Sequence, residues 1–98
     1  MKIYKYPIII TGKPFELAMS PGKIIHVGQD PERVSSMWVL HHGGSVEDVG
    51  RAFIVVGTGM DFADHDRYRG SWVLGRFVWH LIERTFKPKR PLYADGRY

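Results

Sequence analysis

Short runs of alternating apolar and polar residues, closed by glycine or proline, constrain this chain more than any other feature. Side chains on a strand point to opposite faces in turn, so a period of two predicts β-strands, whereas helical i, i+3, i+4 spacing is scarce. We predict an all-β domain, or a β-dominated α+β domain, folded as a small antiparallel sandwich or barrel of about six to seven strands. The strand-like runs are Ile3–Thr11, Phe15–Met19, Lys23–Val27, Ser35–His42, Gly50–Val56, Ser71–Leu74 and Phe77–Glu83.

Two pairings of these strands can be predicted in more detail. The dipeptide Gly75-Arg76 separates the last two runs, which is the spacing of a hairpin with glycine first in a type II′ turn. A helix over Val73–Thr85 is the competing interpretation, but the glycine and its β-branched and aromatic neighbours disfavour it. The run Gly50–Val56 is expected to be the antiparallel partner of the strand that contains Trp38.

The length and the charge distribution indicate one domain followed by an arm. With 98 residues the chain has room for a single core, which we place in residues 1–85. Residues 1–84 carry a net charge of +1 and residues 85–98 a net charge of +3, so the overall +4 lies mostly in the tail. Residues 86–98, with Pro88 and Pro91, are predicted to form a basic, extended C-terminal arm.

Composition also narrows the cellular setting. The chain has no cysteine, which removes disulfides and thiolate zinc sites from consideration and fits a reducing compartment. Its N-terminal residues lack a signal-peptide pattern, and no apolar run approaches the ~20 residues of a membrane span. We expect a soluble, cytoplasmic protein that makes no contact with a membrane.

A long polar segment is the main candidate for a functional site. The β-branched run Phe53–Val56 stops at Gly57-Thr58-Gly59 and leads into a connection, Met60–Gly70, that is rich in charge. Connections of this length are usually functional or disordered, and a tyrosine between two arginines suits an anionic ligand or an acidic partner surface. The predicted contact residues are Arg51, Thr58, Asp61, His65, Arg67, Tyr68, Arg69 and Arg76.

Other chemistries are represented only by isolated residues. Gly57-Thr58-Gly59 lacks the third glycine and the helix of a nucleotide-binding loop. His41, His42, His65 and His80 could serve a metal site or acid–base catalysis, but their spacing supports neither, and no serine lies in a nucleophile-elbow pattern. We therefore predict no catalytic residue, metal ligand or cofactor. A small hydrolase using His65 or His80 with an aspartate is kept as an alternative.

Three segments together resemble a family of small uncharacterised proteins of tailed bacteriophages and prophages. They are Ile3-Tyr4-Lys5-Tyr6-Pro7, Phe53-Ile54-Val55-Val56-Gly57-Thr58-Gly59, and Gly70-Ser71 followed by Phe77-Val78-Trp79-His80-Leu81-Ile82-Glu83. The resemblance spans most of residues 2–84. It implies a phage accessory protein and assigns no catalytic residue.

These observations favour a binding protein over an enzyme. We expect it to inhibit a host protein, such as a defence protein, or to sequester a small anionic ligand, and to form a homo-oligomer through apolar strand faces. The first alternative is nucleic-acid binding through the arm residues Lys87, Lys89 and Arg90, which would weaken steeply with salt. A minor structural role in the virion is the remaining alternative.

Overall fold

The computed structural model describes residues 1–43 and 47–85, and in these residues the chain forms seven β-strands and no helix. The predicted all-β fold is therefore confirmed, and no described segment is a helix able to cross a membrane. The arm predicted for residues 86–98 lies outside the described residues. The strands are β1 (Lys2–Pro7), β2 (Phe15–Met19), β3 (Gly22–Gln29), β4 (Ser35–His41), β5 (Val49–Gly57), β6 (Arg67–Leu74) and β7 (Phe77–Arg84).

The strands form two sheets in which every pairing is antiparallel. Sheet A has the order β1-β4-β3 and sheet B the order β2-β5-β7-β6. The predicted pairing of the Gly50–Val56 strand with the Trp38 strand is wrong, because β4 already has a partner along each edge. Strand β5 pairs instead with β2 and β7, which places it inside sheet B.

The hairpin predicted at Gly75-Arg76 is confirmed. Leu74 pairs with Phe77 across the two-residue turn, and Gly75 has a φ of 61° while Arg76 has a negative φ. This combination is the glycine-first turn that matches the twist of the flanking strands. Residues 77–84 are a strand, so the competing helix is excluded.

The core lies between the inner faces of the two sheets. Met37 and Val39 of β4 are fully buried, and so are Phe53 of β5 and Leu81 of β7. Alternation therefore works as predicted in the central strands, with one set of side chains pointing inward. The buried cluster comprises Ile8, Met19, Val27, Met37, Val39, Phe53, Val55, Trp72 and Leu81.

The sheets come close along the seam between β3 and β6. Gly70 of β6 lies against Val27 of β3, and a Cβ at position 70 would overlap the Val27 side chain. Nearby, the indole N–H of Trp72 donates to Ser35 Oγ at 2.9 Å inside the core. Edge strands with unpaired backbone groups tend to associate with other chains, and the seam shields these two edges.

The connection between β5 and β6 runs back along sheet B. Both strands are antiparallel to β7 and hence parallel to each other, so residues 58–66 must return over the outer face of the sheet. Val56 and Ile82 are buried although they stand outside the core cluster, which places them under this connection. The Thr85 N–H donates to Asp66 Oδ1 at 3.0 Å and fixes its end.

Part of the predicted connection is a strand in the structure. Arg67, Tyr68 and Arg69 open β6 and pair with β7, whereas the sequence placed them in the connection. The alternation of these residues was obscured by a bulge between Tyr68 and Gly70, which adds one residue to β6 opposite β7.

Candidate functional site

Four polar side chains form a continuous hydrogen-bonded chain on the outer face of sheet B. Tyr68 Oη lies 2.7 Å from Ser71 Oγ, and Ser71 Oγ lies 2.6 Å from His80 Nδ1. His80 Nε2 lies 2.9 Å from Thr58 Oγ1. All three bonds are on the solvent-facing side, so this chain of groups is available to a ligand or a partner.

Strand register and the bulge explain why these residues meet. Ser71 lies directly opposite His80 in the β6–β7 ladder. Tyr68 is three residues before Ser71 and would face the other side of a regular strand. Because the bulge inserts one extra residue between them, both side chains reach the same face.

The hydrogen-bonded chain can be satisfied in either direction. Each hydroxyl can donate one hydrogen bond and accept others, and a neutral imidazole donates from one nitrogen and accepts at the other. If Tyr68 donates to Ser71, then Ser71 donates to His80 Nδ1, and His80 Nε2–H donates to Thr58. This arrangement offers a partner a set of groups that can act as donors or acceptors.

A groove of about 400 Å³ adjoins this chain at the turn of the β6–β7 hairpin. Its walls are mostly apolar, with one guanidinium and one hydroxyl. The Nε1 atom of Trp79 is buried and has no hydrogen-bond acceptor among the described residues. The lining residues are Gly57, Thr58, Met60, Arg76, Phe77, Val78 and Trp79.

Apolar side chains stand exposed around the same turn. Val73 and Phe77 are 61% and 64% exposed, and Met60 and Val78 are 56% and 40% exposed. Val73 and Val78 are cross-strand partners on the face that carries Ser71 and His80. Phe77 points to the opposite face, beside Trp79, and the groove lined by Met60, Phe77 and Val78 runs around this end of the hairpin. We call these four residues the hairpin surface.

Two of the predicted arginines are engaged elsewhere. Arg51 makes two hydrogen bonds to the Glu83 carboxylate, each 2.7 Å long, and a third to the Gly22 carbonyl at 2.9 Å. Arg69 Nε donates to the same carboxylate at 2.8 Å. The side chains of Arg51 and Glu83 are each 12% exposed, so this ion pair ties β5, β7 and the start of β3 together.

The electrostatics of this cluster favour a charged carboxylate. Burial acts to raise the pKa of Glu83, but the hydrogen bonds and charges of Arg51 and Arg69 outweigh it, and the pKa lies below its usual value. Glu83 therefore stays ionised and keeps both guanidinium groups in place. We attribute a structural role to Arg51 on this basis.

The other predicted residues divide between the groove and the connection. Thr58 and Arg76 line the groove, and Tyr68 joins them through Ser71 and His80. The remaining three are exposed: Arg67 opposite Glu83 in the ladder, and Asp61 and His65 in the connection, where His65 Nε2 is 3.7 Å from an Asp66 oxygen.

Ser71 and His80 are the two residues of the hydrogen-bonded chain that are absent from the predicted contact residues. The sequence held a signal for them, because a two-residue hairpin at Gly75-Arg76 fixes Ser71 opposite His80. The groove residues Met60, Phe77 and Val78 had no comparable signal. Their exposure depends on how the connection crosses the sheet.

The arrangement suits recognition better than catalysis. Ser71 and His80 are placed as a nucleophile and a base, but both nitrogens of His80 meet hydroxyl groups, and within the described part of the chain no carboxylate orients its ring. Among residues 1–43 and 47–85, no three His, Asp or Glu side chains are placed to hold a metal ion. The surface offers exposed apolar side chains at the hairpin turn beside a polar network.

Comparisons with known proteins give one finding. A family model described as "Domain of unknown function (DUF7352)" matches residues 1–91. No curated protein matches the chain, and no solved structure matches it.

Proposed function

Since this chain belongs to the DUF7352 family, to which no function is assigned, we propose for it the role that its surface supports best: a phage-type accessory protein that binds and inhibits a partner protein. The partner is a protein of the host, in the host cytoplasm. The hairpin surface makes the contact.

The observation that carries this proposal is the exposure of Met60, Val73, Phe77 and Val78 on one end of the β6–β7 hairpin. Single exposed apolar residues are normal, but several exposed apolar residues at one end of a hairpin, beside a polar network, are typical of protein interfaces. Aromatic side chains are enriched among the residues that dominate binding energy, and Phe77 is the most exposed side chain of this group.

The polar chain next to the patch supplies specificity. Tyr68 is 58% exposed, and its hydroxyl, together with Ser71 and His80, can donate or accept hydrogen bonds. Arg76 lies at the turn and can pair with a carboxylate of the partner. We therefore expect the partner to present an apolar side chain for the groove and an acidic group beside it.

A matched capture experiment tests this role. Tagged wild-type protein, the double variant Phe77→Ser/Val78→Thr and the control Ile25→Ser are used on the same host lysate. Ile25 is also exposed, at 45%, but lies in sheet A. We expect wild type and the control to retain the same host protein and the double variant to lose it.

Two outcomes would argue against the proposal. Equal retention by all three proteins would mean that the hairpin surface is not the contact. Retention only of further copies of this chain would make the surface a self-association face and the homo-oligomer the functional form.

A further inference from the structure

A second groove, of about 550 Å³, lies where the start of β1 meets the end of β4 and the start of β3. Small-molecule sites usually measure roughly 300–1,000 Å³, so a mononucleotide-sized ligand fits this space. We call it the β1–β4 groove. Its principal lining residues are Lys2, Tyr4, Ser20, Pro21, His41 and His42.

One wall of the β1–β4 groove is held rigid by His41. The His41 residue is only 4% exposed, and both of its ring nitrogens are engaged. Nδ1 lies 3.3 Å from the Pro21 carbonyl, which can only accept, so Nδ1 carries the hydrogen and donates it. Nε2 then accepts from the Tyr6 hydroxyl at 2.9 Å. Burial, the largest cause, raises the pKa of Tyr6, so this hydroxyl remains protonated.

Tyr4 extends this wall with an accessible aromatic face. Its ring centroid is 5.6 Å from that of His41 at an interplanar angle of 47°, and the residue is half exposed. Tyr4 and Lys2 lie on the same face of β1 because they are two residues apart. The ring thus contacts His41 on one side and stays half exposed, which leaves part of it accessible to a stacking base.

The charge at the groove favours an anion at one end. Lys2 has no carboxylate within 4 Å among the described residues, and the exposed His42 adds a further hydrogen-bonding group. The carboxylate bonded to the lining is Asp48, which accepts from Ser20 Oγ at 3.2 Å. Asp48 precedes β5 and does not itself line the groove, whereas Lys2 and His42 do.

From this combination we propose that the β1–β4 groove binds a mononucleotide, with the base stacked on Tyr4 and the phosphate paired with Lys2. An aromatic platform accepts any base, because every base has a π-face, and the ammonium group selects the phosphorylated form. The site shares no residue with the hairpin surface, so nucleotide binding can be tested independently of the proposed partner binding.

Isothermal titration of the full chain with AMP, GMP, CMP and UMP tests this site. We expect saturable binding of at least one mononucleotide and weaker binding of the matching nucleoside. Tyr4→Leu should weaken binding about tenfold, which corresponds to the lower range of measured base-stacking contributions. Lys2→Gln should weaken binding of the nucleotide about threefold to tenfold and leave binding of the nucleoside unchanged.

Matched controls separate the groove from general charge or aromaticity. Lys23→Gln removes an exposed cation on the outer face of sheet A, and Tyr68→Leu removes an exposed tyrosine on sheet B. Neither should alter the affinity. Asp48→Asn should tighten nucleotide binding, because it removes a negative charge near the lining. Each variant is checked by its thermal unfolding midpoint.

Clear results would overturn the assignment. One such result is that no mononucleotide binds at millimolar concentration. Another is that Tyr4→Leu and Lys2→Gln leave the binding affinity unchanged. Binding of a single-stranded oligonucleotide without binding of any mononucleotide would also overturn it and indicate a nucleic-acid surface. Amide chemical shifts of the wild-type protein provide a variant-free check, and we expect them to move at Tyr4, Ser20 and His41 on addition of AMP.

Discussion

The two ends of β7 have opposite characters. At one end Glu83 is almost buried and receives hydrogen bonds from Arg51 and Arg69. At the other end Phe77 and Val78 stand exposed beside a groove, and the nearby indole N–H of Trp79 has no acceptor among the described residues. One strand thus contributes an ion-paired, closed end and an open, apolar end.

Along β7, the residues that stabilise the fold and the residues of the proposed contact surface lie at opposite ends. Charged groups at the Glu83 end are satisfied by one another, so they have little capacity left for a ligand. The residues of the open end are not needed to fill the core, since the buried cluster is complete without Phe77 and Val78. Arg51 and Arg69, which the sequence predicted as ligand contacts, are bonded to Glu83 within sheet B, and we propose the hairpin turn as the contact surface.

The largest expected effect comes from breaking the closed end. Arg51→Met removes both hydrogen bonds to Glu83 and leaves a largely buried carboxylate with Arg69 alone. We expect a loss of about 3 kcal/mol in the free energy of unfolding, measured by urea denaturation. A loss below about 1 kcal/mol would mean that the cluster is a surface ion pair of little consequence.

The second-largest effect is expected from acid, which should weaken the closed end. The pKa of Glu83 is lowered in the folded state, so its stabilising effect is present above the unfolded pKa of roughly 4.3 and is lost as pH falls through the folded value. The pKa of Asp30 is lowered by its hydrogen bond to Lys5 and by backbone N–H groups, and it acts in the same direction. We expect the urea midpoint to fall between pH 6 and pH 3, and to fall less in Glu83→Gln. Parallel curves for the two proteins would contradict this account.

A smaller effect is expected at Arg69. Its side chain is 34% exposed and supplies one hydrogen bond to Glu83, so solvent screens the pair. Arg69→Gln should cost about 0.5–1 kcal/mol of unfolding free energy. If Arg69→Gln abolished partner capture at unchanged stability, the arginine would belong to the contact surface as the sequence suggested.

The smallest effect on stability is expected at the open end. Phe77→Ser/Val78→Thr exchanges exposed side chains that lie outside the core, and the unfolding free energy should change by no more than about 0.5 kcal/mol. The same double variant should lose its partner. A destabilisation of about 2 kcal/mol would show that these residues support the fold, and the contrast between the two ends would disappear.

Local sequence rules predicted much of this structure. Alternation predicted the strands, and the Gly75-Arg76 turn predicted a register that places Ser71 opposite His80. Both features are determined by residues that are close together in the sequence. The predicted arm at 86–98 is outside the described residues.

Contacts between distant strands were not predictable in the same way. The Arg51–Glu83 pair requires β5 beside β7, and its two residues are 32 positions apart. The β6 bulge reverses the facing of Tyr68 relative to Ser71, and Gly70 beside it was interpreted as the end of the connection because no strand was predicted before Ser71. The first feature decides that Arg51 is ion-paired, and the second decides which face of sheet B carries Tyr68.

Site-specific photo-crosslinking tests the central claim most directly. A photoreactive phenylalanine analogue replaces Phe77 in one protein and Ile25 in another, and each is irradiated inside the host cell. We predict a discrete adduct with one host protein from position 77 and none from position 25. An adduct from position 25 but not from position 77 would contradict the assignment of the hairpin surface as the contact site.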